Sequence, residues 1–230
     1  MFLRNGYKLK LRTNSTDLQA FANVWLIEEY NKKEFKILEN DLVIDIGAHI
    51  GLFTLYVSQF CKKGKILCFE PVKENYDLLQ ENIQINNLVN VTTFNKAVSN
   101  EKKIIRIYLS KDQAAHSFYN EGPNFIEMES VSLKEIIDSN KISVCNLLKL
   151  DCEGAEYDIL RALPDEYFKT IMKICMEYHF SNTQPHLIKE LKDRLGALHY
   201  NIVDIPLFDG LGLLFVIKIN DKMLGRSNQS

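Results

Sequence analysis

Short apolar runs alternate with longer amphipathic stretches along most of this chain, and that rhythm narrows the fold more than any other feature. LVIDI (42–46), KILCFE (65–70), VTTFN (91–95), CNLLKLD (145–151) and TIMKICMEYHF (170–180) read as strands. Helices are expected at about 51–61, from Pro71 to about Asn87, at 154–163 up to Pro164, and from Pro185 to Gly196. Proline in the first helical turn costs little, because the N–H it lacks has no partner there. Apolar strands separated by helices imply an α/β fold with a mostly parallel sheet covered on both faces. YNIVDI and GLLFVIKI, joined by PLFDGL, read as a C-terminal antiparallel hairpin. The stretch 101–133 is less regular: KIIRIYLS and MESVSL read as strands, and SKDQAAHSFYNEGPN as a loop. Asp17–Tyr30 reads as helical. The expected organisation is a helical cap over 1–40, an α/β domain over 41–222 and a tail over 223–230.

The chain has 230 residues, which suits one domain with a complete core. Formal net charge is -2 and the pI is near 6.2. A protein that grips many phosphates carries a basic excess, so nucleic acid is not an expected partner. No apolar run is long enough to span a bilayer. MFLRNGYKLKLRTNST lacks the apolar core of a signal peptide, so a cytoplasmic location is expected. The five cysteines form no CxxC pair and several sit in strand-like runs; buried reduced thiols are expected rather than disulfides or zinc. Oligomeric state is left open, with a dimer as one option.

The first candidate site is the turn VIDIGAHIGLFT (43–54), in which Asp45, Gly47, Ala48, His49, Ile50 and Gly51 close the first strand and open a helix. Glycine lets a ligand approach the backbone, and a helix N-terminus offers free N–H groups. Doubly wound sheets bind ligands at this place. Glu70 ends the second strand, 25 positions after Asp45. A carboxylate here can accept hydrogen bonds from a ribose diol. Pro71 beside it, Asn95 at the end of the third strand and Ala97 just after it extend the expected cofactor surface. A dinucleotide fold wants G-x-G-x-x-G, whereas this turn reads G-A-H-I-G, with His49 crowding the place of a pyrophosphate. S-adenosylmethionine has no phosphate and fits such a turn better than a nicotinamide cofactor does.

Four segments resemble the FkbM family of methyltransferases: TNSTDLQAFANVWLIEEY (13–30), DLVIDIGAHIGLFTL with CFEPVKENYDLLQENIQIN (41–86), LLKLDCEGAEYDILRAL (147–163) and MEYH (176–179). K-L-D-C-E-G-A-E is the most specific of these, being similar to the family's K-I-D-V-E-G-A-E. His49 departs from the family, which usually has Asn there. The resemblance implies a Rossmann-like class I methyltransferase sheet that uses S-adenosylmethionine. It also implies methyl transfer, usually to oxygen, on a small-molecule or glycan acceptor such as a sugar, a lipid-linked glycan or a secondary metabolite. An RNA methyltransferase, a non-catalytic adenosylmethionine-binding protein and a dehydrogenase are the competing readings.

The second candidate site gathers at the ends of the fourth and fifth strands. Asp151 and Glu153 are two apart, which puts both on one face if the strand persists that far. Glu177 and His179 repeat the spacing. The hydroxyl that receives the methyl group loses a proton, so a base helps. His179 is the first candidate because imidazole titrates near neutrality. Asp151 is the second, and it also counts among the expected cofactor contacts. Glu177 orients His179 or holds a sugar hydroxyl. Tyr30, His116, Glu153 and Glu177 are the expected acceptor contacts, His116 through a loop long enough to act as a lid. Asp17 is expected to help close the pocket. No tight metal-ligand motif is present, so no metal is expected, although Asp, Glu and His suit several divalent ions.

Overall fold

The computed structural model describes residues 1–30, 32, 35–108, 124–208 and 210–219. His116 and the tail 223–230 lie outside these residues. The N-terminal helical stretch is α1 (Asp17–Phe21), which widens into a π-helical turn over Ala22–Leu26. The helical reading for this stretch ran on to Tyr30.

The α/β rhythm follows as expected: β1 (Leu42–Ile46), α2 (Leu52–Ser58), β2 (Lys65–Phe69), α3 (Lys73–Ile85) and β3 (Val91–Phe94). Pro71 stands just outside α3, whose N-cap is Val72. Next come β4 (Ala97–Ser99), β5 (Ile104–Tyr108), β6 (Phe125–Ser132) and α4 (Leu133–Ser139). The C-terminal half holds β7 (Leu147–Leu150), α5 (Glu156–Ala162), α6 (Asp165–Phe168), β8 (Lys173–Tyr178), α7 (Pro185–Ala197), β9 (Tyr200–Pro206) and β10 (Gly212–Lys218).

Seven strands form one sheet in the order β3-β2-β1-β7-β8-β10-β9. The first five run parallel, and β10 lies antiparallel to both β8 and β9. Val43, Ile44, Ile66, Leu67, Leu148, Leu150, Ile174 and Met176 are all buried, as parallel strands covered on both faces must be. One apolar cluster unites α4, α5 and α7 with one face of the sheet. The other unites α2, α3 and the N-terminal segment, through Leu9, Phe21, Val24, Tyr30 and Phe35, with the opposite face. Each fully buried Ile or Leu contributes roughly 1.5–3 kcal/mol, so these two layers supply the main driving force for the fold.

Strand order decides where a ligand can sit. From β1 the chain first winds one way, to β2 and β3, and later the other way, to β7 and β8. The connections that leave the carboxyl ends of β1 and β7 therefore diverge, and a crevice opens between them. A separate three-stranded sheet, β4-β6-β5, is built from the irregular middle segment.

Candidate active site

The crevice is a cavity walled on one side by the N-terminal segment, through Thr16, Gln19, Asn23, Glu29 and Tyr30. On the other side are the turn Gly47–Ala48–His49 and the strand ends Lys149, Asp151, Glu153 and Glu177. It therefore brings the turn expected to hold the cofactor together with three of the acids expected at the acceptor rim.

The turn is shaped by backbone packing. Gly47 has φ +75°, and a Cβ there would lie 1.8 Å from the Asp151 carbonyl oxygen. Glycine is thus demanded by the close approach of β1 to the end of β7, more than by a ligand. The amides of Gly47 and Ala48 both donate to the Phe69 carbonyl at 3.0 Å, which fastens the turn to β2. His49 also takes a positive φ of 49°. Its amide donates to Glu70 Oε2 at 2.8 Å, while Val72 N donates to Glu70 Oε1 at 2.9 Å. Burial, only partly offset by these bonds, pushes the Glu70 carboxyl up to about 7.

Several expected cofactor contacts do not line this cavity. Asp45, read as one, is fully buried beneath the turn, accepting from Thr54 Oγ1 at 2.7 Å and lying 3.4 Å from Lys149 Nζ. Ile50 is fully buried in the core. Gly51 caps α2 in the left-handed conformation, with its Cβ position 2.6 Å from Leu79 Cδ1. Glu70 and Pro71 sit at the end of β2, pinned by Asn95, whose amide donates to both their carbonyls at 2.9 and 2.8 Å. Ala97 is buried in β4. Asp17 is a correction as well: it is fully buried and does not face the cavity, because the Arg12 guanidinium claims both its oxygens.

Arg12 was not legible as a site residue, yet it ties the N-terminal segment to the turn. It reaches Asp17, Asn75 Oδ1 at 2.8 Å and His49 Nε2 at 2.9 Å. A guanidinium only donates, so His49 Nε2 accepts and carries no proton. Burial, with Arg12 also working against the charged ring, holds the His49 pKa down near 4 despite the nearby Asp17 carboxylate. Histidine here is thus an acceptor for Arg12, a part that asparagine can also play.

Lys149 is the buried cation of the site. It donates to the Gly47 carbonyl at 2.8 Å, stands 3.4 Å from both Asp45 and Asp151, and lies over the Phe53 ring. Burial opposes its charge, but the two carboxylates outweigh that and hold the amine firmly protonated. A lysine inside an otherwise apolar parallel strand must be paired, and that was the available signal for it.

At the rim, β7 ends at Leu150, so Asp151 and Glu153 do not share a strand face. Glu153 instead sits in a tight turn with φ +54°. The two still meet in the cavity with Glu177, the fifth residue of β8. His179 is buried just behind them. Its Nε2 lies 3.4 Å from Glu153 Oε2 and 3.8 Å from Glu177 Oε1, and its Nδ1 lies 3.2 Å from Glu156 Oε1. Burial favours a neutral ring, but Glu156, then Glu153 and Asp151, outweigh it and lift the pKa to about 10. His179 is therefore an imidazolium at neutral pH, which takes from it the role of a ready base. Burial and the charge of Asp151 lift Glu177 to about 8, against the pull of His179. Burial and Asp151 likewise bring Glu29, another residue not singled out from sequence, to about 7.

Comparison with known proteins agrees with this architecture. Residues 45–201 match the methyltransferase FkbM domain. The chain belongs to that family of S-adenosylmethionine-dependent methyltransferases. Among its relatives is "Methyltransferase 1" of Beauveria bassiana, 26% identical over 161 residues, which cover 60% of this chain and 65% of the relative. Another is the hexuronic acid methyltransferase AglP of Haloferax volcanii, 23% identical over 171 residues, covering 70% and 69%. The crystal structure of methyltransferase FkbM from Methylobacillus flagellatus superposes with a TM-score of 0.58 at 16% identity, covering 86% of this chain and 47% of that one. The chain thus spans about two thirds of the first relative's length and about half of the solved protein's. Among the described residues, no helix is long and apolar enough to cross a membrane.

Proposed function

We propose that this chain transfers a methyl group from S-adenosylmethionine to a hydroxyl of a small-molecule or glycan acceptor. The observation that carries the reading is the acidic lining of the cavity at the β1/β7 switch point. Glu29, Asp151, Glu153 and Glu177 line it, and among the described residues Lys149 is the one lysine or arginine in that lining. Such a wall favours a cationic ligand, and the donor's sulfonium is one. The methionine end of the cofactor lies along Gly47–His49, and its ribose reaches toward Glu70, whose Oε2 accepts one amide and keeps a lone pair, while Oε1 accepts from both Val72 N and Asn75 Nδ2.

The methyl carbon then faces the rim. Transfer is an in-line displacement: the acceptor oxygen bonds to carbon, and the carbon–sulfur bond breaks to leave a neutral thioether. Holding oxygen, carbon and sulfur in line is the main task. The hydroxyl proton leaves to a rim carboxylate, which His179, already charged, orients. The hexuronic acid methyltransferase AglP supports a sugar as the acceptor class.

The test is transfer of labelled methyl from the cofactor into an extract of cell metabolites and glycans, followed by the same assay on His179→Gln. Turnover is expected to fall roughly a hundredfold, with cofactor affinity by calorimetry nearly unchanged. Unchanged turnover, or affinity falling in parallel with it, would refute the role given to His179. Absence of cofactor binding by the parent chain would refute the reading as a whole.

A further inference from the structure

We propose that Asp151, Glu177 and His179 form a binding site for one divalent transition-metal cation of the Mn2+ or Zn2+ type. The effect assigned to the cation rests on the methyl-transfer reading; its binding does not. One ligand atom from each of the three residues lies within 4.8 Å of the other two. Bonds of about 2.1–2.2 Å to a shared ion put neighbouring donors ~3 Å apart and opposed donors ~4.4 Å apart, so small side-chain adjustments bring all three onto one ion.

The sheet holds the three in place. β7 and β8 are parallel neighbours, with Leu148 beside Ile174 and Leu150 beside Met176. Asp151 follows β7 directly, Glu177 is on β8, and His179 follows β8 directly. The donors therefore come from a rigid edge, as a preorganised site needs.

The second observation is the setting of His179. Its side chain is only 8% exposed, and Nδ1 makes no aligned hydrogen bond. Nδ1 faces Glu156, which is fully buried and is itself held by the amides of Cys152 at 2.7 Å and Gly154 at 2.8 Å. The Tyr157 hydroxyl donates to the His179 carbonyl at 2.9 Å and fixes its backbone. Nε2 is left turned toward Glu153 and Glu177. A carboxylate behind one ring nitrogen and further carboxylates before the other is how proteins aim histidine at a metal. The ring ligates once Nε2 gives up its proton, which metal binding releases.

Two carboxylates and one imidazole suit first-row transition ions better than Ca2+ or Mg2+, which prefer all-oxygen shells. Three protein ligands leave positions open for an acceptor oxygen. A hydroxyl bound there becomes more acidic. Its proton passes to the Glu153 carboxylate, the oxygen bonds to the methyl carbon, and the electron pair of the broken carbon–sulfur bond stays on sulfur.

The experiment uses the full chain after chelator treatment and dialysis, titrated with Mn2+ alone and followed by electron paramagnetic resonance. Saturation at one ion per chain is expected, with a nitrogen coupling in the pulsed spectrum of the bound ion. Asp151→Asn and Glu177→Gln should each weaken binding about tenfold or more, and His179→Gln should abolish the nitrogen coupling. Circular dichroism checks the fold of each variant, and the parent's nitrogen coupling decides the matter if a variant does not fold. No saturable binding below roughly millimolar Mn2+, a bound ion without nitrogen coupling, or folded carboxylate variants with the parent's affinity would overturn the site. Adenosylmethionine calorimetry runs in parallel. Mn2+ binding without cofactor binding would refute methyl transfer and leave the metal site standing; the reverse result would do the opposite.

Discussion

Glu70 has one carboxylate for two tasks. Its oxygens hold the turn by accepting from His49 N and Val72 N, and the proposed function asks them to hold a ribose as well. Glu70→Ala should therefore act twice. Two amides are left without their acceptor, which costs about 1–3 kcal/mol each where water cannot reach them. The lost bond to the diol should weaken adenosylmethionine binding by roughly 1.5–3 kcal/mol, on the order of a tenfold to hundredfold change in Kd. Thermal melting reads the first effect, and calorimetry well below the melting temperature reads the second. A destabilised variant that binds the cofactor as tightly as the parent would confine Glu70 to a structural role. Gly47 teaches a related lesson. Its place in the turn was legible from its position after an apolar strand, but the reason for it was not. The obstacle to a side chain is the Asp151 carbonyl, 104 positions later in the chain, and only the pairing of β1 with β7 brings it there.

Elements were legible where their physics is local. β1, β2, β7 and β8 are apolar runs bounded by Gly, Pro or acids, and β9 and β10 share a short turn-rich link, so all were expected close to where they lie. β4 has only three residues, too few for a periodicity to show. The π turn at Ala22–Leu26 follows from packing on α2, through Trp25 against Tyr56 and its indole N–H donating to the Leu52 carbonyl, and carries no sequence mark of its own. α4 is different: its start was written in the chain and passed over, because MESVSL reads as a strand up to Leu133. Ser132 and Glu135 form a capping box, Ser132 Oγ accepting from Glu135 N at 3.2 Å and Glu135 Oε2 accepting from Ser132 N at 2.9 Å. Ser132→Ala should cost about 1 kcal/mol and lower the melting temperature by a few degrees. An unchanged melt would show that burial of Leu133, Ile136 and Ile137 suffices to start α4. In the site, the four rim residues were legible as acids and a histidine after apolar strands. Arg12, Glu29 and Glu156 were not, because a lone charge in a sequence looks solvated until its buried partners are known; Lys149 carried one mark, a charge inside an apolar strand.

The whole molecule should respond to pH through the acids it gathers at one cavity. Folding lifts Glu29 and Glu70 to about 7 and Glu177 to about 8, in each case chiefly by burial, from an ordinary value of 4.5. An acid whose pKa is raised binds more protons in the folded state, so its contribution is fullest below 4.5 and is lost as pH climbs through the raised value. His179 has the same sign: burial alone would lower it, but Glu156 and its neighbours lift it from 6.5 to about 10. Its contribution is complete below 6.5 and fades toward 10. His49, held near 4 mainly by burial, runs the other way and costs stability as pH falls from 6.5 toward 4. Between pH 6 and 9 the raised groups act together and His49 is silent. The ligand-free protein should therefore melt lower as pH rises across that window, by an amount on the order of a few kcal/mol, or roughly 5–10 °C. A bound sulfonium reverses the logic, because it favours the ionised acids. Saturating adenosylmethionine should flatten the slope as well as raise the whole curve. Calorimetric scans at pH 6, 7, 8 and 9, with and without cofactor, measure both effects, and Glu177→Gln should remove part of the ligand-free slope. A ligand-free melting temperature that rises from pH 6 to 9 would mean that these carboxylates are ionised in the folded state without cost. The cavity would then be better solvated than its walls imply, and a sulfonium would gain little from it.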